Sequence, residues 1–399
     1  MPPTRNSSET DTDAQTATDD ELSGLIAELV SRESENPPGN ERPVAEFIHG
    51  WFADRGIDAD LVEEPYEDRP QVAARVGDGE PAIVLNGHID VVPAGKRSEW
   101  SHDPYGAEIE SDRLFGRGSV DMKTGVAVAM RALADLEPGL TSGEIDGSLV
   151  FQAAIGEETA EPGTKRLLEL GYDGEYGIVL EPTELRTATS EKGLAWYEIT
   201  VGGEPSHASR PDQGSNAIQK ARPVLDALAA YDERVRQRTD PLVGQAYATV
   251  TEFEAGTKEN VVPEEAVVTV DRRFLPEESA EAIDAEFEEL LSDVAAEHDV
   301  EVSWERTRTY ESAAISTESR IAEVIRGHSA VEADVSTEPW GVKASTDVRN
   351  LVNDAGMEAV TWGPGDLAQA HTYNERVDLS EAATGLTVLK ASLRELWEE

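Results

Sequence analysis

The stretch "AIVLNGHIDVVPAG", which spans Ala82–Gly95, decides the fold. Its apolar, β-branched first half is typical of a strand that is buried in a sheet. His88 and Asp90 follow at once, and they lie on one face if the strand continues, because alternate side chains of a strand point the same way. Taken alone, the pair is as compatible with a core histidine satisfied by an aspartate as with a ligand site.

Similar apolar runs surround this strand on both sides in the sequence. They read "VAARV" (72–76), "SLVFQAAIG" (148–156) and "YGIVLEP" (176–182). Helical periodicity separates them, for example over residues 124–136 and 164–170. This alternation favours an α/β sheet that is covered by helices on both faces. Ligand sites of such sheets lie at the carboxyl ends of the strands.

A different pattern occupies residues 191–308, where the apolar periodicity predicts the order β-α-β-β-α-β of a ferredoxin-like insert. The α/β pattern then resumes and continues to residue 399. We therefore predict a first domain made of residues 20–190 and 309–399, interrupted by a second domain at 191–308. Residues 1–19 have hardly any apolar side chain, so we expect them to be disordered.

The charge of the chain limits its partners. Its formal net charge of −47 arises from 81 acidic and 34 basic residues, which are spread through both halves. Such a surface repels itself unless concentrated salt screens it, so we expect a halophilic protein. A protein that binds a cationic partner would instead need a localised acidic patch, and the same charge disfavours nucleic acid. Without an apolar run of about 18 residues or a signal peptide, we expect a cytoplasmic protein that does not bind membranes.

Candidate metal-ligating residues follow other predicted strands as well. Asp121 lies in a glycine-rich loop before a helix, where it could alternatively be a helix cap. Glu157 and Glu158 follow one apolar run, Glu181 ends another, and His371 follows a third. Four such strand ends favour a common metal site, because buried carboxylates need a compensating cation to stay ionised. The chain has no cysteine, so the ligands must be His, Asp and Glu.

The remaining histidines carry weaker signals. His49, His298 and His328 lie on predicted helices among polar neighbours, which is typical of solvated surface positions. His102 lies in a predicted loop, and we assign it no role.

Several motifs in this order resemble those of one enzyme family. They are "GHIDVVPAG", "GRGSVDMKTG", "GEET", "LEP", "SHASRPDQGSNAI", "NVVP", "DRR" and "HTYNERV". The resemblance is to the acetylornithine deacetylase, succinyl-diaminopimelate desuccinylase, aminoacylase and glutamate carboxypeptidase family of two-metal metallohydrolases. It implies a zinc-peptidase-like, three-layer α/β catalytic domain with an inserted ferredoxin-like lid and dimerisation domain, in a homodimer. It also implies a cis peptide bond after Asp121.

The same resemblance implies a metal-ligand set. His88, Asp121 and Glu181 would hold one divalent ion, and Asp121, Glu158 and His371 would hold the other, with Asp121 bridging. We expect Zn²⁺, with Co²⁺ as an alternative.

The resemblance also implies three catalytic residues. Asp90 would accept the ring N–H of His88 and fix its tautomer. Glu157 would be the general base. His207 would reach the active site of a neighbouring subunit and stabilise the tetrahedral oxyanion, although an ordinary turn histidine is the alternative.

Substrate binding is less well defined by the sequence. Asn260 and Arg272 match positions that grip a substrate carboxylate in some relatives, and surface or turn roles are almost equally compatible with them. Asp347 and Arg349 keep the pattern of the substrate loop, but "KASTDVRN" (343–350) departs from it and leaves the acyl group open.

We therefore expect hydrolysis of the amide bond of an N-acyl amino acid by metal-activated water. A dipeptidase or carboxypeptidase acting on a short peptide is the alternative within the family. A metal- or ligand-binding protein without catalysis is the alternative from another class, although no expected ligand or base is missing.

Overall fold

The structure is a computed structural model that describes residues 7–398, and their side chains from residue 19 onwards. The helices are α1 (Ser7–Val30), α2 (Arg42–Ala53), α3 (Lys123–Ser142), α4 (Gly163–Glu169), α5 (Ala217–Val235), α6 (Ala280–His298), α7 (Arg320–Ala333) and α8 (Leu379–Trp397). The strands are β1 (Asp60–Val62), β2 (Gln71–Val76), β3 (Ala82–His88), β4 (Glu108–Glu110), β5 (Arg113–Phe115), β6 (Ser148–Ala154), β7 (Tyr176–Val179), β8 (Ala188–Glu191), β9 (Gly193–Gly202), β10 (Thr239–Asp240), β11 (Gly244–Gln245), β12 (Tyr247–Ala255), β13 (Glu265–Phe274), β14 (Val302–Tyr310), β15 (Ala313–Ala314), β16 (Trp340–Val342), β17 (Glu358–Thr361) and β18 (Arg376–Asp378).

The chain divides into two compact units. The first comprises the residues up to Thr189 together with Ile315–Trp340 and the residues from Thr346 onwards. The second comprises Ser190–Ala314 and Gly341–Ser345. The second unit thus takes in part of the "KASTDVRN" stretch, which the sequence places wholly in the first domain.

The first unit is built on a mixed sheet in the order β1-β2-β6-β3-β7-β17-β8. The central strands β6, β3, β7 and β17 run parallel to one another, whereas β2 is antiparallel to β6 and β8 is antiparallel to β17. All seven residues of β3 are buried, as expected for a strand covered on both sides. One face of the sheet packs on α1, α2, α3, α7 and α8 through an extensive apolar core. The other face packs on α4 through Leu167, which completes three layers.

A small antiparallel sheet in the order β18-β5-β4 also belongs to the first unit. Its strands β5 and β18 are distant in sequence, and Val377 faces Leu114 in their ladder. This pairing brings the loop between β5 and α3 next to the loop before β18, and both loops carry predicted metal ligands.

The second unit contains an antiparallel sheet in the order β12-β13-β9-β14. Alternate residues of β9, including Tyr197 and Ile199, pack with α5 and α6 in a separate core. The order of elements is the predicted β-α-β-β-α-β, with the short hairpin β10–β11 added between α5 and β12. The predicted α/β fold class is confirmed.

The sequence predicts disorder for residues 1–19, a segment that includes the first part of α1. Residues 1–6 lie outside the described part of the chain, but the backbone is helical from Ser7, as the first part of α1. The segment from Ser7 to Val30 contains no proline, which would interrupt a helix. The packed second half of α1 can therefore extend the helix backwards without a core of its own.

Among residues 7–398, none of the helices combines the length and the apolar character that a membrane crossing requires.

Candidate metal centre

Five predicted ligands come together at one edge of the first unit's sheet. His88 ends β3, and Glu181 follows β7. Glu158 lies in the turn after β6, Asp121 precedes α3, and His371 precedes β18. Since β3, β6 and β7 are parallel, their carboxyl ends meet at the same edge. The strand topology therefore concentrates these side chains.

Asp121 lies between two histidines. Nε2 of His88 is 3.2 Å from Oδ1 of Asp121 and 3.7 Å from Oε1 of Glu181. Nε2 of His371 is 3.3 Å from Oδ2 of Asp121 and 3.0 Å from Oε2 of Glu158. Each oxygen of Asp121 thus faces one histidine–glutamate pair.

The peptide bond between Asp121 and Met122 is cis, which confirms the cis bond expected after Asp121.

Burial and mutual charge shift the pKa values of these groups. Burial raises the pKa of Glu158 and of Glu181, and the charge of Asp121 raises both further. Burial would also raise the pKa of Asp121, but hydrogen bonds from His371 and His88 outweigh it and lower that pKa. Hydrogen bonds to Asp121 and Glu158 raise the pKa of His371 to about 10. The cluster therefore depends on positive charge among its carboxylates.

The donor set fits divalent metal ions. Donor atoms bound about 2 Å from a tetrahedral ion are roughly 3.3 Å apart, and the contacts of Asp121, Glu158 and Glu181 with the histidines span 3.0 to 3.7 Å. Imidazoles with carboxylates, and no thiolate, suit Zn²⁺ and similar ions. Ligand atoms of His88, Asp121 and Glu158 also lie within 4.8 Å of one another.

Asp90 is close to His88, but its carboxylate is not the acceptor that the sequence predicts. Nδ1 of His88 donates to the main-chain oxygen of Asp90 over 2.9 Å, whereas Oδ1 is 3.7 Å away. The carboxylate instead accepts the main-chain N–H groups of Gly156 (2.9 Å), Glu157 (3.3 Å) and Glu158 (3.3 Å). Because three main-chain N–H groups already donate to the carboxylate of Asp90, the ring of His88 donates to the main-chain oxygen of Asp90 instead.

Asn36 supports the same loop, although no sequence pattern singles it out. Its side-chain nitrogen lies 3.1 Å from Oδ2 of Asp90, 2.7 Å from Oγ1 of Thr159 and 3.0 Å from Oε2 of Glu161. Arg69 holds Glu161 through two further contacts of 2.7 and 2.8 Å. The "NPPGN" stretch (36–40), which separates α1 from α2, thus supplies the side chain of Asn36 to the site. No local pattern in the sequence reveals the contact of Asn36 with Asp90.

Glu157 faces a different set of groups from its neighbour Glu158. Its Oε1 is 3.8 Å from Nη1 of Arg349. Burial raises the pKa of Glu157 to about 8, with the charge of His88 opposing this shift and that of Asp347 adding to it. Asp347 is itself buried and accepts a hydrogen bond of 2.5 Å from Thr164. The structure therefore brings Asp347 and Arg349 to Glu157.

The second unit holds the other candidates. His207 and Asn260 are both exposed. Their segments of main chain are adjacent, because the N–H of Ala208 donates to the main-chain oxygen of Asn260 over 2.9 Å. Nδ1 of His207 also lies 2.8 Å from Oγ of Ser209. The structure therefore places His207 and Asn260 in adjacent exposed segments of that unit.

Arg272 does not join them at that surface, although the sequence predicts that it binds substrate. It is fully buried, because it shares the core-facing side of β13 with Val268 and Val270. Its guanidinium donates to Glu278 over 2.6 Å and to the hydroxyl of Tyr231 over 3.2 Å. These contacts lie inside the unit. The predicted alternatives, a surface role or a turn role, therefore do not describe Arg272 either.

His102 belongs to a second group of potential ligands. It precedes β4, which holds Glu108 and Glu110, and the centroid of its ring stacks 4.1 Å from that of Phe115. Both glutamates are exposed. Exposed acids of this kind are common on so acidic a surface.

Comparison with known proteins decides the family. The family model described as peptidase family M20/M25/M40 matches residues 84–395. The chain belongs to this family. The M20 match contains all five predicted metal ligands and both adjacent glutamates. It confirms the family expected from the motifs, and with it an amide-bond hydrolase.

Relatives of the M20 protein differ in their named substrates. A probable succinyl-diaminopimelate desuccinylase of Staphylococcus aureus (strain MSSA476) is 26% identical, over 94% of this chain and 97% of the relative. An M20-family metallo-carboxypeptidase from Sulfolobus solfataricus has a TM-score of 0.77 at 17% identity, over 94% and 98% of the two chains. A dinuclear metal-binding M20 peptidase of Bacillus subtilis has a TM-score of 0.69 at 15% identity, over 96% and 99%. These likenesses confirm the three-layer fold.

Proposed function

We propose that this M20 protein removes the acyl group of an N-acyl amino acid by hydrolysing its amide bond. The observation that carries the proposal is the position of Asp121, which presents one oxygen to each of two histidine–glutamate pairs. Such an arrangement suits two ions that share one carboxylate.

His88, Asp121 and Glu181 would hold one divalent ion, and Asp121, Glu158 and His371 the other. Zn²⁺ is the ion we favour, with Co²⁺ as the alternative, and the dinuclear relative supports a pair of ions. Bound there, the ions would lower the pKa of a water molecule and polarise the carbonyl of the scissile amide.

Glu157 is the residue that we assign to proton transfer. It is adjacent to a ligand candidate, yet its side chain faces Arg349. Its carboxylate would take a proton from the attacking water and return it to the nitrogen of the leaving amine. Asp90 would support this step, because its carboxylate holds the main chain at Glu157 and Glu158.

Arg349 is the group best placed to bind a substrate carboxylate near Glu157, with Asp347 orienting it over 3.4 Å. Arginine suits this task because its planar donors match a carboxylate. His207 and Asn260 remain predicted contributors from the second unit, which would act as a lid. The hydrogen bond from the main-chain N–H of Ala208, next to His207, to the main-chain oxygen of Asn260 supports a shared role for these two residues.

We also propose a homodimer that forms through the second unit. Strand β12 lies at the edge of its sheet, and Val250 and Phe253 on it are 37% and 41% exposed. An edge strand with exposed apolar side chains is suited to pairing with another chain. Cytoplasmic location and adaptation to salt remain predictions from the sequence.

A substrate panel tests the proposed function. The purified protein is assayed in molar salt with Zn²⁺ or Co²⁺ against N-acetyl amino acids, N-succinyl amino acids and dipeptides, and release of free amine is measured. Fastest turnover of an N-acyl amino acid supports a deacylase. Preference for dipeptides identifies a peptidase, as the carboxypeptidase relative suggests. Metal binding without turnover identifies a non-catalytic binding protein.

A further inference from the structure

One buried ion pair joins the two loops that carry Asp121 and His371. Arg117 precedes Asp121, and Glu375 follows His371. Nη1 of Arg117 lies 2.5 Å from Oε2 of Glu375, and the two side chains are 3% and 0% exposed. Both residues stand in the motifs "GRGSVDMKTG" and "HTYNERV", yet neither has a role in the mechanism described above.

The other oxygen of Glu375 holds the main chain next to the shared ligand. Its Oε1 accepts the N–H of Val120 over 2.9 Å and the N–H of Asp121 over 3.2 Å. The main-chain oxygen of Glu375 accepts the N–H of Gly116 over 2.9 Å. Glu375 therefore binds the loop before α3 at both of its ends.

Further main-chain and ring contacts hold Arg117 and Glu375 in place. The Glu375 contact with Gly116 continues the ladder of β5 and β18 by one step. The N–H of Arg117 donates to the main-chain oxygen of Pro104 over 2.8 Å. The guanidinium of Arg117 lies 5.3 Å from the ring centroid of Trp100. The spacing between the two loops is thus set by a strand pairing and one carboxylate.

The main-chain hydrogen bond at Asp121 limits where its carboxylate can lie. Because the main-chain N–H of Asp121 is held by Glu375, rotation of Asp121 is restricted. This matters because Asp121 presents one oxygen to His88 and the other to His371 at the same time. Removal of a group that hydrogen-bonds to a metal-ligating residue and orients it commonly changes the metal affinity of the site.

We propose that Glu375 is a positioning residue, which holds Asp121 at the distance from His371 that two ions sharing one carboxylate require. This inference rests on the proposed function, because it concerns the same centre. A purely structural ion pair would contribute to stability alone, whereas a positioning residue also sets the affinity for metal.

The test compares three single variants with the parent protein. Glu375→Gln removes the charge but keeps the length of the side chain. Glu375→Asp keeps the charge and withdraws the carboxylate by about 1.5 Å, so the two amide contacts cannot both persist. The control is Glu278→Gln in the second unit, since Glu278 also pairs with a buried arginine, Arg272, at 2.6 Å and accepts one main-chain N–H, from Leu275.

Metal-free samples are titrated with Zn²⁺ by calorimetry, and the absorption spectrum of the Co²⁺ form is recorded. We expect the weaker of two binding steps to lose about tenfold to a hundredfold in affinity in both Glu375 variants, with a changed Co²⁺ spectrum. The control should keep both affinities within about twofold. If Glu375→Gln does not fold, Glu375→Asp supplies the result, because it retains a charge opposite Arg117.

Two outcomes are separable. Folded Glu375 variants that bind both ions like the parent, with an unchanged spectrum, overturn the positioning role and leave the proposed function standing. A parent protein that binds no divalent ion overturns the proposed function, and the positioning role with it.

Discussion

The main-chain carbonyl of Asp90, and not its carboxylate, receives the ring N–H of His88. The carboxylate turns to the other side and holds the loop with Glu157 and Glu158. Asp90 therefore links the imidazole of one strand end to the glutamates of the next. Its backbone and its side chain serve different partners, which a substitution can separate.

Asp90→Asn should spare His88 and disturb the glutamate loop. The carbonyl stays, but the amide group of asparagine would confront main-chain N–H donors. We expect turnover to fall about tenfold to a hundredfold, the usual effect of losing such a supporting group, while the ion bound by His88 is retained. Metal content and turnover are measured beside Asp240→Asn, since Asp240 accepts two loop amides in the second unit. Loss of the ion at His88 would contradict this assignment.

Glu157→Gln and Glu158→Gln should fail in different ways. Glu157→Gln should keep both ions and lose about 10²- to 10⁴-fold in turnover, the typical contribution of a positioned general base. Glu158→Gln should weaken one ion, and excess Zn²⁺ or Co²⁺ should restore part of its activity. The check is metal analysis with kinetics on both purified variants. A Glu157→Gln protein with near-normal turnover would show that the pair is assigned wrongly.

Gly125→Ala should destabilise the protein although alanine favours helices. A Cβ at Gly125 in α3 would lie 2.2 Å from the main-chain oxygen of Leu180, next to Glu181. The expected loss is about 1–3 kcal/mol of unfolding free energy, as for overpacked sites. Gly50→Ala in α2 is the matched control, because nothing lies within 4 Å of a Cβ there, and it should gain about 0.5–1 kcal/mol. Denaturant unfolding measures both, and equal effects would argue against the close packing of α3.

High salt should stabilise the protein. With a net charge of −47, the surface repels itself at low ionic strength. The Debye length falls from about 10 Å at 0.1 M salt to about 3 Å at 1 M, so repulsion between surface carboxylates is largely removed. We expect the thermal unfolding midpoint to rise between low and molar potassium chloride. An unchanged midpoint would be incompatible with a halophilic protein.

A mixed dimer tests the predicted action of His207 across subunits. His207→Ala and Glu157→Ala proteins should each be nearly inactive, but some heterodimers should regain activity because one of their sites has both residues. Activity is measured after unfolding and refolding the two proteins together. Recovery no greater than that of either variant refolded alone would exclude action in trans.

The sequence reveals those parts of the site whose signals are local. Strand ends at His88 and Glu181 stand out because an apolar run stops at a polar group, and the neighbouring strands show the same pattern. The burial of Arg272 could also have been inferred, since it is in phase with Val268 and Val270 along β13.

Other parts of the site depend on contacts between distant segments. Asn36 reaches Asp90 across 54 residues, and Arg117 reaches Glu375 across 258. No periodicity records such a pairing, because it is created by strand order and by the ladder of β5 and β18. The choice between the carbonyl and the carboxylate of Asp90 also depends on where three loop amides converge, which is a property of the folded loop.

The way in which the chain enters and leaves the second unit has an evolutionary consequence. Ser190, its first residue, faces Ala314 in the ladder of β8 and β15. Because the two ends of the segment 190–314 meet as neighbours, a gene could lose or exchange this segment by two cuts at adjacent points of the fold. Descendants of one hydrolase could then acquire new substrate ranges by recombination, while the residues around Asp121 stay as they are.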